Sequence, residues 1–274
     1  MFPENQNLNN HVLTIRHSLD GFSFAVFDLE SNRFIFVKDV CEPNLPLPYA
    51  IKWIESHYNC SLSDFNKITV LFDNEKHTVV PSSLFNLSAK DKYLELLGIS
   101  EQDGVVCNDV LYHAELNNVF SVARDDFDFV SQTQHNMSYH HASSVLLTSI
   151  ISDNVARGVN IQGVYLHIKE NKFDMTVVDG CNLLFNNTFK YKTKEDFLYF
   201  LLFAIDMLHL DAATVPVFFL GMIEDKSQIV ELVSRYVRDI RFVRRDNAIA
   251  MSEEMEETPF YYHYILFKSI LCEL

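Results

Sequence analysis

Along the opening stretch of the chain, apolar and polar positions alternate in short runs separated by turn residues. Residues 11–17, 22–29 and 34–37 each carry this period-two pattern, and Asp20-Gly21 and Glu30-Ser31-Asn32 lie between them. Strand side chains point alternately to the two faces of a sheet, so three such runs on short turns predict an antiparallel meander. Pro43, Pro46 and Pro48 end the pattern, because proline fixes φ and has no N–H to give to a ladder. The period then changes, and Ile51, Ile54 and Tyr58 share one face of a helix predicted over 49–58. Residues 68–72 are a short apolar run, the pattern of a buried strand.

The same order returns later. Strands are predicted over 164–168, 173–178 and 183–190, with Glu170-Asn171 and Asp179-Gly180 as turns. A strongly apolar helix over 193–210 follows, with Thr193 as N-cap and Asp196 as a first-turn acid, and then a buried strand over 215–220. Each element lies about 150 residues after its counterpart, and a fixed offset of this kind reads as an internal duplication. Between the repeats the patterns predict a short helix ending over 94–99, strands over 105–113 and 119–123, and a helix over 139–157 closed by Gly158. After the second repeat come a helix over 226–237, a strand over 240–243, an acidic loop over 252–257 and a final helix over 261–274. No low-complexity linker divides the chain. Two lobes are expected, 1–138 and 139–274, with a cleft between them; the last helix is counted with the second lobe, with a crossing back between the lobes as the alternative.

Composition narrows the function. Of 274 residues, 48% are apolar and 13% aromatic, which provides a full core and excludes disorder for most of the chain. The net charge of −15 opposes binding to phosphate backbones. The one dense basic stretch, Arg235, Arg238, Arg241, Arg244 and Arg245, is interleaved with acids and valine and reads as a solvated surface, so no nucleic-acid partner is expected. Cys41, Cys60, Cys107, Cys181 and Cys272 form no CxxC and no Cys/His group, as in a reducing cytosol. The polar, Asn-rich start lacks a signal-peptide pattern, and the apolar run 197–205 is too short to span a bilayer. A soluble cytoplasmic protein is expected.

The residues 13–27 with their Ser18-Leu19-Asp20-Gly21 turn, 164–175, 217–233 and the closing 262–274 carry a resemblance that covers nearly the whole chain. In that order they resemble the actin-like ATPase superfamily, and within it a family of Bacteroides-group proteins of unknown function. The resemblance implies a mixed α/β fold of two duplicated ribonuclease-H-like, actin-like β-β-β-α-β-α modules facing an inter-lobe cleft. It also implies a nucleotide clamp whose two meander turns hold the phosphates. Each turn would carry an Asp ending its first strand, then glycines, then Ser or Thr. Carboxylates there place metal or water, and glycines expose backbone N–H groups to phosphate oxygens.

This chain departs from that pattern. Arg16 stands where the first acid is expected, although Ser18, Asp20 and Gly21 follow it. In the second copy His167 replaces the acid, and Lys169-Glu170-Asn171 replaces the glycines, placing the Glu170 carboxylate where it would repel phosphate. Two glycines are implied after the 217–220 strand, where adenosine approaches; the chain has Gly221 and then the bulkier Met222. The cleft positions implied are therefore Ser18, Asp20, Gly21, His167, Glu170, Gly221 and Met222, with no catalytic residue among them.

Other chemistry is thinly supported. His135, His140 and His141 lie close in sequence, but neighbours on a helix face apart and cannot readily share one ion. Asp125-Asp126-Phe127-Asp128 lacks the spacing and glycine of a calcium loop and reads as a solvated acidic turn. No Gly-x-Ser-x-Gly elbow, Walker loop or HExxH is present, and nothing in the sequence selects one Ser/His/Asp set from many. The expectation is a non-catalytic, pseudo-ATPase protein that acts by binding another protein, without metal or cofactor. The alternative is a nucleotide-gated ATPase or sugar-kinase-like enzyme using ATP and magnesium through a divergent phosphate loop.

Overall fold

The first meander forms where its alternation predicts. β1 (His11–Ser18), β2 (Gly21–Asp28) and β3 (Arg33–Val40) pair antiparallel in sequence, with Leu13 opposite Val26 and Ile15 opposite Phe24. This is a computed structural model, and it describes all residues except 1, 3–7, 101–103, 134–135, 157–161, 246–248 and 273. α1 (Leu47–Tyr58) starts on prolines and ends at Asn59, whose φ of 48° is the left-handed cap conformation. Its Ala50, Ile51 and Ile54 are buried against the sheet face that carries Leu13, Ile15 and Phe24. β4 (Lys67–Asp73) returns parallel to β1.

β5 (His77–Pro81), β6 (Val105–Leu111) and β7 (Leu116–Val122) form a separate sheet in the order β5-β7-β6, with α2 (Lys90–Glu95) packed on it. α3 (Arg124–Gln132) and β8 (Met137–His141) follow, and β8 pairs parallel with β4. The main sheet then reads β14-β3-β2-β1-β4-β8, where β14 (Ala250–Met251) is a two-residue parallel strand on β3. After α4 (Ala142–Ala156) come β9 (Gln162–Ile168), β10 (Lys172–Asp179), β11 (Asn182–Lys190), α5 (Lys194–Met207), β12 (Val217–Gly221), α6 (Gln228–Val233) and β13 (Ile240–Phe242). Their sheet runs β11-β10-β9-β12-β13. It has the same order and strand directions as β3-β2-β1-β4-β8. α7 (Tyr264–Lys268) closes the chain.

The chain divides into two compact units. One comprises residues 1–148, 247–258 and 265–274; the other comprises 149–246 and 259–264. The chain's last residues, counted with the second lobe in the sequence, thus join the first unit, where Phe267 packs on Phe34 at 4.8 Å. Each unit has its own core, the first around Phe24, Leu13 and Phe120 and the second around Phe173, Phe197 and Phe219. Burying one such aromatic contributes about 1.5–3 kcal/mol.

Three local expectations change. The helix predicted over 139–157 begins as β8, because Met137, Tyr139 and His141 can pair with distant β4; residues 157 and 158 lie outside the described residues. The acidic turn at 125–128 is the first turn of α3, where Asp125 and Asp126 meet the positive end of the helix dipole. The final helix shrinks to α7 and one 3-10 turn, Ser269–Leu271. Among the described residues no helix is long and apolar enough to cross a membrane.

Candidate functional site

The first candidate turn joins β1 to β2. Ser18 accepts from the Asp20 N–H at 3.3 Å and donates to the Gly21 carbonyl at 3.1 Å, so its hydroxyl closes the turn on itself. Gly21 has φ of 136°, and a Cβ there would overlap the Val40 carbonyl oxygen. Gly21 is therefore required by the approach of β3's end, before any ligand is considered. The Leu19 carbonyl accepts from the Asn44 N–H at 2.8 Å, which ties the turn to the loop ahead of α1. Asp20 itself is exposed.

Arg16, two residues upstream, is committed to a carboxylate. Its Nε and Nη2 donate to Asp73 Oδ2 at 2.7 and 2.5 Å. Asp73 ends β4, opposite Ser18 in the parallel register, and is almost fully buried. The acid that sequence reasoning missed in this place thus sits one strand over and is held by the cation at the expected acid's position. A guanidinium on a buried carboxylate is a strong charge-assisted pair. The neighbouring His17 donates from Nε2 to the Leu45 carbonyl at 2.6 Å.

The second candidate turn joins β9 to β10 as a tight hairpin, closed by the Lys169 N–H on the Lys172 carbonyl at 2.9 Å. The Asn171 carbonyl accepts from the Tyr191 N–H at 3.1 Å, and Glu170 is exposed at the tip. Behind it is a buried polar group. Asp174 takes His167 Nδ1 at 3.2 Å and Lys169 Nζ at 2.8 Å on Oδ2, and the Thr188 hydroxyl at 2.7 Å on Oδ1. His167 and Asp174 are direct cross-strand partners, so the hairpin register alone brings them together.

Gly221 ends β12 beside this hairpin. Its φ is 87°, and a Cβ would overlap the Ile168 carbonyl oxygen and lie 2.8 Å from His167 Cδ2. The Gly221 N–H donates to the Tyr261 carbonyl at 2.7 Å, and the Met222 N–H donates to the Ile168 carbonyl at 2.8 Å. The Met222 side chain is 45% exposed. Burial raises the Tyr261 hydroxyl above its ordinary pKa, with Asp225 and Glu224 adding to the effect. The structure thus brings His167, Gly221 and Met222 together near the Glu170 hairpin, and Ser18, Asp20 and Gly21 together in the other unit.

Further polar side chains, not selected by the sequence, meet in the first unit. Ser143 Oγ lies 3.3 Å from His77 Nε2, and His77 Nδ1 lies 3.1 Å from Asn118 Oδ1. Asn118 Nδ2 donates to Ser144 Oγ, which leaves Oδ1 to accept from His77 and leaves Nε2 to accept from Ser143. This resembles a nucleophile relay, but Ser143 and Asn118 are buried and the bonds tie β5 and β7 to α4. His140 and His141 lie on strand β8, so they point apart by strand alternation. His140 meets Asp109 at 2.9 Å, while His141 accepts from the Ser143 N–H. His135 lies outside the described residues. Among the described residues no three His, Cys, Asp or Glu side chains are arranged to hold a metal. Burial raises the Cys60 thiol to about 11 and also raises that of Cys107, which makes both poor nucleophiles.

Comparison with known proteins identifies the fold. The model of a family described as proteins of unknown function, DUF3822, matches residues 3–240. A protein of unknown function from Bacteroides thetaiotaomicron with an actin-like ATPase fold superposes with a TM-score of 0.79 at 16% identity, covering 100% of both chains. A protein of the PilM–PilN type IV pilus biogenesis complex gives 0.65 at 9% identity, over 96% of this chain and 99% of that one. The cytoplasmic domain of EpsL, an inner-membrane component of the Vibrio cholerae type II secretion system, gives 0.50 at 14%, over 96% of each chain. No curated protein matches the chain. The fold is that of the actin-like ATPases, as the order of elements predicted.

Proposed function

The chain belongs to the DUF3822 family, and we propose that it is a non-catalytic actin-like protein that acts in the cytoplasm by binding another protein. The observation that carries this reading is the Arg16–Asp73 pair. In an actin-like ATPase the acid ending the first strand faces metal or attacking water, and here that position holds a cation already satisfied by a buried carboxylate. The second turn supports the same reading, since Lys169 is held on Asp174 and Glu170 stands at the tip. Losing one group that stabilises developing charge costs roughly 10² to 10³ in rate, and here Arg16 and His167 stand for the acids, and Lys169-Glu170-Asn171 for the glycines, that the resemblance implies. The fold relative in the PilM–PilN complex works with a protein partner, and the acidic charge of −15 favours a protein over nucleic acid.

Thermal melts with and without magnesium and ATP test the proposal. Ligand at a hundred times its dissociation constant adds about 2.7 kcal/mol to a protein that binds it. The expected result is no shift with millimolar ATP and no magnesium-dependent hydrolysis. A clear rise in Tm would overturn the reading in favour of a nucleotide-gated protein.

A further inference from the structure

We propose that β11 is a self-association edge, and that a second copy of this chain pairs with it antiparallel, joining two five-stranded sheets into one. Three observations lead there. β11 ends its sheet, and among the described residues no strand lies on its outer edge. The strand is nine residues long with no proline, and its sole charged side chain is Lys190 at the very end. Edges of this length are normally shielded by charge, proline or a covering segment, because their exposed backbone groups template pairing. The topologically equivalent edge, β3, shows that shielding: it carries Arg33, Lys38 and Asp39, and β14 lies against it.

Beside β11 runs an apolar stripe on α5. Phe189 of β11 stacks on Phe200 at 4.9 Å, and Phe203 and Met207 follow Phe200 at helical spacing on that side. Phe203 is 50% exposed, Tyr199 stacks on it at 6.0 Å and is itself exposed, and Met207 is exposed too. A two-fold axis normal to the sheet, near Asn186, makes the two β11 strands antiparallel. It also leaves both α5 helices on the same face, stripe against stripe.

Charge selects this occupant and this direction. α5 runs back along β11, so exposed Lys190 and Lys192 lie at one end of the edge, with Glu195 and Asp196 in the first turn of α5 behind them, and exposed Asp179 and Asp206 lie at the other end with no exposed Lys or Arg beside them on β11 or α5. The antiparallel two-fold sets Lys192 of each copy near the acids of the other, whereas parallel pairing would set like charges together.

Light scattering and sedimentation of the full chain over a dilution series test this. The expected mass is that of two chains. Phe203→Asp should weaken the dimer by at least roughly thirtyfold, the change that marks an interface hot spot. Tyr236→Asp, which removes an aromatic equally exposed elsewhere in the same unit, should leave it intact. Lys192→Glu should weaken association, and Lys192→Glu combined with Asp206→Lys should restore it. A wild-type mass of one chain, a mass above two chains, a Phe203→Asp dimer of unchanged strength, or failure of the charge swap to restore pairing would each overturn the proposal. None of these readouts depends on whether nucleotide binds.

Discussion

The sheets β3-β2-β1-β4-β8 and β11-β10-β9-β12-β13 share strand order and direction, yet they keep their buried charges in different places. In the first, the charge pair bridges β1 and β4, with Arg16 on one strand and Asp73 at the end of the other. In the second it lies across β9, β10 and β11, where Asp174 gathers His167, Lys169 and Thr188. Both arrangements take up side chains beside the turns where an actin-like ATPase handles phosphate. Backbone hydrogen bonds and apolar alternation preserve the architecture, and they leave the polar chemistry at strand ends free to change. The chain keeps the frame of an actin-like ATPase while its strand-end side chains satisfy each other.

The comparison can be broken by removing the acid from each side. Asp174→Ala takes away an acceptor shared by a buried His and a buried Lys, so it should destabilise by about 3–5 kcal/mol, the cost of removing one partner of a buried ion pair. Asp73→Ala should cost less, about 2–3 kcal/mol, because the Arg16 side chain is 19% exposed and can recover water. Urea denaturation of the two variants checks the order. An Asp73 variant less stable than the Asp174 variant would mean that the first pair, not the second network, is the main polar anchor.

The two turn glycines offer a smaller and sharper test. Gly21 and Gly221 both combine a positive φ with a backbone carbonyl where a Cβ would sit. Gly98 has φ of 76° and open space around it. Alanine at Gly98 should therefore cost only the conformational penalty, about 1 kcal/mol. Alanine at Gly21 or Gly221 should cost about 2–3 kcal/mol, since β3 or β9 must also shift. Equal losses at all three positions in a chemical melt would show that the close approaches are absent in solution.

Much of this was legible in the sequence, for reasons that differ by region. Period-two runs gave β1 to β3 and β9 to β11 because each strand's partner is its neighbour in sequence and the turns announce themselves. The His167–Asp174 contact was within reach, since counting back from the Glu170-Asn171 turn sets those two residues opposite each other. Asp73 was not, because its pairing with Arg16 depends on the parallel register of β1 with β4 across an intervening helix. β8 was hidden for the same reason: Met137 to His141 is a strand only beside β4, and its alternation runs straight into the apolar start of α4. The Ser143–His77–Asn118 contacts join three elements far apart in sequence, and no local pattern marks them.

An effect as small as that at Gly98 is expected at the start of α5, the helix that carries the exposed stripe beside β11. Thr193 accepts from the Asp196 N–H at 3.1 Å, and the Asp196 carboxylate accepts in return from the N–H groups of Thr193 at 3.0 Å and Lys192 at 3.1 Å. This reciprocal box satisfies donors that a helix start leaves open. The backbone bonds from Lys192 and then Thr193 hold the Asp196 pKa below its ordinary value of 3.8. A carboxylate with a lowered folded pKa contributes stability that is fully present above its unfolded pKa and is lost as pH falls through the folded one. The box should therefore hold near neutral pH and fade only below about pH 4. Thr193→Ala should cost about 1 kcal/mol at neutral pH. Asp196→Asn should narrow its gap to wild type as the pH drops through that window, because wild type then loses the same charge. Melting curves of the two variants across acid pH check this, and a gap for Asp196→Asn that widens toward low pH would show that its carboxylate does not cap α5.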